Sequence, residues 1–179
     1  MKKRHSPSTN SVSMIKIQQA TTKDIGLIRE IAEKTWFDTY REILSSEQMD
    51  YMYDMMYSVD SIKRQMTELN HVYFIAWLKD KPLGYVSVEQ QNETLFHLQK
   101  LYIVPEVQGK GVGKILIKKA FDFAKEHTKG EACALELNMN RDNKALFFYQ
   151  KMGMYISDQG DFDIGNGYFM NDYILRIDL

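Results

Sequence analysis

Three glycines at alternate positions, Gly109, Gly111 and Gly113, follow an apolar run past the middle of the chain. Residues 101–104 are β-branched and aromatic enough to be a buried strand, which Pro105 ends because proline cannot donate to a strand ladder. Alternating glycines let the backbone pass close to a bulky ligand, and a helix starting at about Gly111 adds unpaired N–H groups and a positive dipole end. Strand, glycine turn and helix start together predict a cradle for an anionic group, most often phosphate.

Two better-known phosphate loops do not fit this stretch. A P-loop ends in Gly-Lys-Ser/Thr, whereas Lys114 is followed by Ile115, so no hydroxyl is placed for Mg²⁺. A dinucleotide fingerprint has a longer glycine spacing and follows an early strand, whereas this loop lies past the midpoint of the chain. Taken by itself, the loop also fits an ordinary glycine-rich turn before a helix.

Composition predicts one cytosolic domain. The chain has 179 residues, 44% of them hydrophobic, enough for a real core in a single domain. Its net charge of −1 predicts neither a nucleic acid nor an anionic membrane as partner, and no apolar run approaches the roughly 20 residues of a membrane span. The one cysteine, Cys133, lies in an apolar run, which indicates a buried thiol in a reducing, cytoplasmic compartment. No His, Cys, Asp or Glu set has metal-ligand spacing, so no metal is expected.

The first thirteen residues read as a polar arm. Residues 1–13 are basic, but no apolar segment follows them, so they do not resemble a secretory signal. We interpret them as a flexible arm, or as an upstream extension with the true start at Met14. Residues 14–179 then form one domain.

Hydrophobic periodicity predicts the element order β-α-α-α-β-β-β-α-β-α-β-β. Successive strands without intervening helices cannot form an all-parallel sheet, so the class is α+β, with a mixed sheet of six to seven strands flanked by helices. Near the C-terminus the pattern predicts a helix over 142–152 and strands over 154–157 and 168–177. A glycine-containing loop is expected between those two strands.

Two segments resemble the GNAT N-acetyltransferase family. The Gln-x-x-Gly-x-Gly pattern from Gln108 to Gly113 is similar to the family's pyrophosphate loop, which binds acetyl-coenzyme A. About thirty residues later, NRDNKALFFYQKMGM at 140–154 resembles the segment whose asparagine opens a short helix and whose tyrosine sits beside the coenzyme sulfur. The predicted element order also resembles the GNAT fold over essentially all of residues 14–179.

The resemblance implies coenzyme contacts on three segments of the chain. In the family, a bulge in the strand before the loop frees backbone for the thioester and the pantetheine arm, and a tyrosine protonates the leaving thiolate. Carried over residue by residue, the acetyl-CoA contacts are Leu101, Tyr102, Ile103, Gln108, Gly109, Lys110, Gly111, Val112, Gly113, Lys114, Asn143 and Tyr149, with Tyr149 as the catalytic acid.

Two departures from the family pattern leave alternatives open. The asparagine-to-tyrosine spacing is six, one fewer than is common, so Asp142 or Asn140 could replace Asn143, and Gly153 is followed by methionine rather than an aromatic residue. Many relatives carry a glutamate on the strand before the loop, where this chain has His97 and Gln99. The base is then His97, Glu89, Glu136 or a water chain.

Charge and aromatic residues favour a cationic acceptor. Residues 38–60 hold six acidic side chains against one arginine, and the predicted loop at 158–167 adds three more, whereas lysines 110, 114, 118 and 119 cluster where phosphates would lie. The segment WFDTYREIL resembles the PaiA-type polyamine acetyltransferases, which implies Trp36 and Tyr40 as acceptor-pocket walls, with His97 also on the acceptor side. Core packing explains Trp36 and Tyr40 equally well.

The sequence thus predicts transfer of an acetyl group from acetyl-CoA to a primary amine, with a small, polyamine-like molecule as the favoured acceptor. A protein N-terminus or lysine is the second choice for the acceptor. A non-catalytic acyl-CoA-binding module and a purely structural protein are the alternatives from other classes. Either a monomer or a homodimer is expected.

Overall fold

A seven-stranded sheet runs through residues 14–179, the part of the chain that the computed structural model describes. The predicted polar arm, residues 1–13, lies outside the described residues. The strands are β1 (Ile15–Gln19), β2 (His71–Leu78), β3 (Lys81–Gln90), β4 (Leu95–Ile103), β5 (Ala134–Asn140), β6 (Tyr155–Gly165) and β7 (Tyr168–Asp178). Their order in the sheet is β1-β2-β3-β4-β5-β7-β6, and β4 and β5 pair in parallel while the other neighbours are antiparallel.

Five α-helices flank this sheet: α1 (Ile25–Tyr40), α2 (Ser46–Tyr57), α3 (Val59–Thr67), α4 (Val112–His127) and α5 (Leu146–Lys151). Side-chain caps start several of them. Thr21 and Asp24 form a capping box before α1, and Ser45 accepts a hydrogen bond from the Gln48 amide at the start of α2. The element order and the mixed seven-stranded sheet confirm the predicted α+β class.

The sheet separates two hydrophobic cores. Phe74 and Ala76 of β2 pack in the core that contains α4, whereas Tyr73 and Ile75, on the opposite face, pack in the core that contains α1, α2 and α3. This alternation follows from the two-residue period of a strand. The helices before β2 therefore cover one face of the sheet, and α4 covers the other.

The sheet opens between its two parallel strands. Pairing of β4 with β5 ends at His97 and Glu136. On the other side of β4, Ser87 pairs with Lys100 and Val88 with Leu98, so Gln99 is the extra residue of a β-bulge. The bulge was expected at Leu101–Ile103 and lies just before them, close to the point where the pairing of β4 with β5 ends.

The C-terminal part corrects two predictions. The helix expected over 142–152 begins only at Leu146, because the Asn143 side chain accepts a hydrogen bond from the Ala145 amide (2.9 Å) and holds a turn. The loop expected at 158–167 is largely strand: β6 pairs with β7 as far as Gly165. Its aspartates therefore lie on a hairpin, whose turn carries Asn166 and Gly167 at φ values of 54° and 78°.

Three further features belong to residues 14–179. No helix within residues 14–179 is both long enough and apolar enough to cross a bilayer. In that same part of the chain, no group of three His, Cys, Asp or Glu side chains is placed to hold a metal ion. Cys133 is a buried free thiol beside β5, in the core that contains α4.

Candidate active site

A cavity of about 590 Å³ lies where β4 and β5 separate. One wall is β4 from Leu98 to Ile103, including the expected contacts Leu101 and Tyr102, and the opposite wall is β5 around Asn138. The glycine loop closes one end, and Tyr40 of α1 and Tyr149 of α5 also line the space. The strand opening thus brings the loop and the predicted catalytic tyrosine to a single cavity.

The backbone of the glycine loop leaves several N–H groups free. Gly109 and Gly111 have φ values of 75° and 87°, which other residues rarely adopt. Within residues 14–179, no backbone carbonyl accepts from the N–H groups of Gly109, Gly111, Val112, Gly113 and Lys114. The Ile115 amide makes the first helical bond, to the Gly111 carbonyl (3.3 Å). These amides and the helix dipole together form an anion-binding arrangement.

The other predicted loop residues have different surroundings. Gln108 lines the cavity, and its side-chain amide donates to the carbonyl of Ile103 (3.0 Å), which fixes the loop to the end of β4. Lys114 also lines the cavity, but Lys110 is exposed outside its lining and its amide donates to the Val107 carbonyl. The Val112 side chain is buried in the core, so an anion at the loop would contact its backbone amide.

Helix α5 places Tyr149 in the cavity wall. The side chain is 8% exposed, and burial raises the pKa of its phenol. The phenol therefore stays protonated at neutral pH, as a proton donor must. Its neighbour Phe148 packs against Gly113, which joins α5 to the start of α4.

Of the three asparagine or aspartate candidates, Asn143 is the one that lines the cavity of Tyr149. Asn140 lines a smaller neighbouring pocket, and its side chain accepts from the Asp142 amide (2.9 Å). Asp142 lies on an exposed groove beside the loop. The geometry thus favours Asn143 over Asn140 and Asp142 as the coenzyme contact, as the sequence did.

The smaller pocket adjoins the cavity on the side of α1 and α2. Its volume is about 80 Å³, and Tyr40 and Tyr102 belong to the walls of both spaces. Trp36 lines this pocket as well, although it is only 1% exposed; its ring centroid lies 4.3 Å from that of Tyr40, and its N–H donates to the Met49 carbonyl. Both interpretations of Trp36, core residue and pocket wall, therefore apply.

The predicted bases do not line the cavity of Tyr149. His97 lines a third, open cavity, and burial lowers its pKa. Glu89 accepts a hydrogen bond from the Gln99 side chain (2.6 Å), and Glu136 is paired with Arg176 (2.8 Å). All three therefore lie outside the cavity that Tyr149 lines, and a water chain is the remaining predicted route for the proton.

Two buried charged residues were missed. Lys100 is 7% exposed, and its ammonium donates to Gln65 and Tyr73; burial lowers its pKa to about 7. The bulge at Gln99 places Lys100 on the opposite face of β4 from Phe96 and Leu98, so the two-residue period of the strand does not predict its surroundings.

Asp172 is the second missed residue. It is 1% exposed on β7 and lines the smaller pocket. It lies between Asn171 and the aromatic Tyr173, and aspartate is a residue type that is rarely buried, so the sequence alone gives no signal of burial.

Comparison with known proteins identifies the family. The family model described as Acetyltransferase (GNAT) family matches residues 28–154, more than half of the chain. The chain is 32% identical over 86 residues to the peptidyl-lysine N-acetyltransferase YjaB of Escherichia coli (strain K12), a match that covers 48% of this chain and only 50% of that relative. It is 27% identical over 149 residues to the spermidine N(1)-acetyltransferase of Thermoplasma acidophilum, covering 80% of this chain and 90% of that protein.

A solved structure agrees with these matches. The PaiA N-acetyltransferase from Thermoplasma acidophilum, crystallised in complex with coenzyme A, superposes with a TM-score of 0.75 and 25% identity, over 92% of this chain and 99% of that one. The predicted resemblance is therefore confirmed, both in sequence and in fold. The chain belongs to the GNAT acetyltransferase family.

Proposed function

We propose that this protein transfers an acetyl group from acetyl-CoA directly to a primary amine. The observation that carries the proposal is the shared cavity: free loop amides and the protonated Tyr149 phenol border the same space of about 590 Å³. The crystallised PaiA relative contains coenzyme A, which supports the same use of this cavity.

In this proposal, each part of the cavity has a separate task. The free amides of the glycine loop and the Lys114 ammonium bind the diphosphate. The edge of β4 beyond the bulge, which has no β5 partner, pairs with the pantetheine arm as an added strand would. The amine nitrogen attacks the thioester carbonyl to form the C–N bond and gives its proton to water. Tyr149 gives its proton to the thiolate as the C–S bond breaks, and the phenolate then takes up a proton from solvent.

A small cationic molecule is the favoured acceptor. Exposed acidic side chains lie on α1 and α2 and along β6, and an acidic surface attracts polycations. The spermidine acetyltransferase relative, matched over 80% of this chain, supports the same acceptor class.

A peptide lysine is the second candidate acceptor. The YjaB relative, which is 32% identical over 86 residues, acts on peptidyl lysine and supports this alternative. Both candidates present a primary alkylammonium group, so the same site chemistry serves either one.

The test is thiol release from acetyl-CoA in the presence of polyamines, simple monoamines and lysine peptides, together with calorimetric titration of coenzyme A. Acetylation of an amine with micromolar coenzyme binding is the expected result. Tight binding without turnover on any amine would instead indicate a non-catalytic acyl-CoA-binding module. Absence of coenzyme binding would remove both interpretations and leave a structural protein.

A further inference from the structure

Asp172 is a buried carboxylate with an unused acceptor atom. The residue is 1% exposed, and within residues 14–179 its Oδ1 atom has no hydrogen-bond partner. In the same part of the chain, Oδ2 accepts only a long bond from the Asn138 side-chain amide (3.5 Å). Buried polar atoms in folded proteins are almost always paired, and an unpaired buried charge is costly. A ligand that supplies a donor would remove this cost.

Aromatic rings surround the pocket that Asp172 lines. Trp36, Tyr40, Tyr57 and Tyr102 contribute walls, and the rings of Trp36 and Tyr57 are 5.8 Å apart. Rings arranged in this way attract alkylammonium groups through their π-faces. Carboxylate and aromatic walls together therefore select a primary ammonium group on an aliphatic chain.

Two cations of the protein lie near this pocket, and neither contacts Oδ1 of Asp172. Lys100 lines the same pocket, and its ammonium donates to Gln65 and Tyr73 and lies 4.9 Å above the ring of Tyr57, so Trp36, Tyr40 and Tyr102 are the rings left for a ligand. Burial raises the pKa of Asp172, and the Asn138 side-chain amide and the positive charge of Arg141 only partly offset this rise. Arg141 itself forms an ion pair with Asp161. Neither one occupies the free Oδ1 atom.

The position of Asp172 points to a nitrogen that does not react. An attacking amine needs its lone pair, whereas a buried carboxylate beside an amine favours the protonated form. Moreover, Asp172 does not line the cavity of Tyr149. It lines the smaller pocket, and Tyr40 and Tyr102 belong to the walls of both spaces. An acceptor that fills both spaces needs one nitrogen in each.

We propose that Asp172 binds the second, non-reacting ammonium group of a diamine or polyamine acceptor. The inference rests on the acetyltransferase function proposed above and adds its specificity-determining residue. The free amine at the other end of the acceptor then lies in the main cavity, towards Tyr149.

The experiment compares putrescine with butylamine, which lacks the second nitrogen, in the wild type and in Asp172→Asn. For putrescine, kcat/KM should fall about 10- to 100-fold in the variant, since a hydrogen-bonded charge pair is lost. For butylamine, kcat/KM should stay the same, so the preference for the diamine disappears. In the wild type, a series of diamines of increasing length should show an optimum that fits the two spaces.

Two further measurements distinguish a ligand-binding role of Asp172 from a purely structural one. Asp172→Asn removes an unpaired buried charge, so its thermal midpoint should rise and its coenzyme A affinity should stay unchanged. Asp122→Asn, the same change at an exposed site on α4, should leave the diamine preference intact.

Equal losses for putrescine and butylamine, or no loss for either, would overturn the role of Asp172 while leaving the acetyltransferase in place. A wild type that acetylates lysine peptides but not putrescine would also overturn it. If the wild type acetylates no amine at all, the proposed function itself fails.

Discussion

Phe148 lies so close to Gly113 that a Cβ atom at position 113 would be 3.2 Å from the ring atom Cζ of Phe148. This contact joins the first turn of α4, where the free amides lie, to α5, which carries Tyr149. A side chain at position 113 must therefore displace Phe148. Because Tyr149 follows Phe148 on α5, Tyr149 shifts as well.

We expect Gly113→Ala to lower kcat by about tenfold, because a small misplacement of a reacting group is costly. Gly26→Ala is the matched control, since Gly26 lies near the start of α1 and a Cβ there meets nothing within 4 Å. The control should keep full activity and gain up to about 1 kcal/mol of stability. Equal kcat values in the two variants would show that the contact does not position Tyr149.

The two ends of α4 allow a matched test of the phosphate loop. Gly111 precedes the helix and Gly130 follows it, with φ values of 87° and 82°, and a Cβ at either position meets nothing within 4 Å. Substitution by glutamate therefore costs similar backbone strain at both sites, but only Gly111→Glu places a negative charge beside the free amides.

Calorimetric titration with coenzyme A checks this difference. Gly111→Glu should abolish measurable binding, whereas Gly130→Glu should bind as the wild type does. If Gly111→Glu keeps wild-type affinity, the loop does not bind the diphosphate.

Lys100 makes the stability of the fold depend on pH. Burial lowers its pKa from 10.5 to about 7, so between those values the unfolded chain binds a proton that the folded chain lacks. The free energy of unfolding should therefore rise with pH above about 7, by up to about 1.4 kcal/mol per pH unit from this group, and this gain is absent at lower pH.

Urea denaturation at several pH values between about 6 and about 9 measures this slope. Lys100→Met should remove the rise, because the group that titrates is gone. Lys118→Met, at an exposed position on α4, should keep the wild-type slope. If the free energy of unfolding changed with pH in parallel for the wild type and Lys100→Met, Lys100 would not be the group that titrates.

Local signals predicted most of the fold. Thr21 and Ser45, of residue types that favour helix starts, cap the helices that follow them, and the glycine loop precedes a helix as predicted. The long hairpin was missed because glycine and aspartate are poor strand formers, while pairing with β7 overrides that preference. The Asn166-Gly167 pair was the available hairpin signal.

Sequence motifs reached the residues on the predicted coenzyme side of the cavity better than those on its acceptor side. The predicted coenzyme contacts lie in three short segments of the chain, and local patterns record such segments. Asp172 and Tyr40, in contrast, meet only because β7 pairs beside β5 and α1 crosses the open sheet. Such contacts depend on tertiary packing, which neither composition nor spacing contains.

The most direct test of the central claim is the rate of thiol release by Tyr149→Phe with saturating acetyl-CoA and the best amine from the panel. The substitution removes the phenol oxygen alone, so coenzyme A affinity should be retained while the rate falls about 10²- to 10⁴-fold. Tyr173→Phe, on β7 outside the cavity, serves as the matched control and should keep the wild-type rate. An unchanged rate in Tyr149→Phe would contradict the assignment of this phenol as the proton donor.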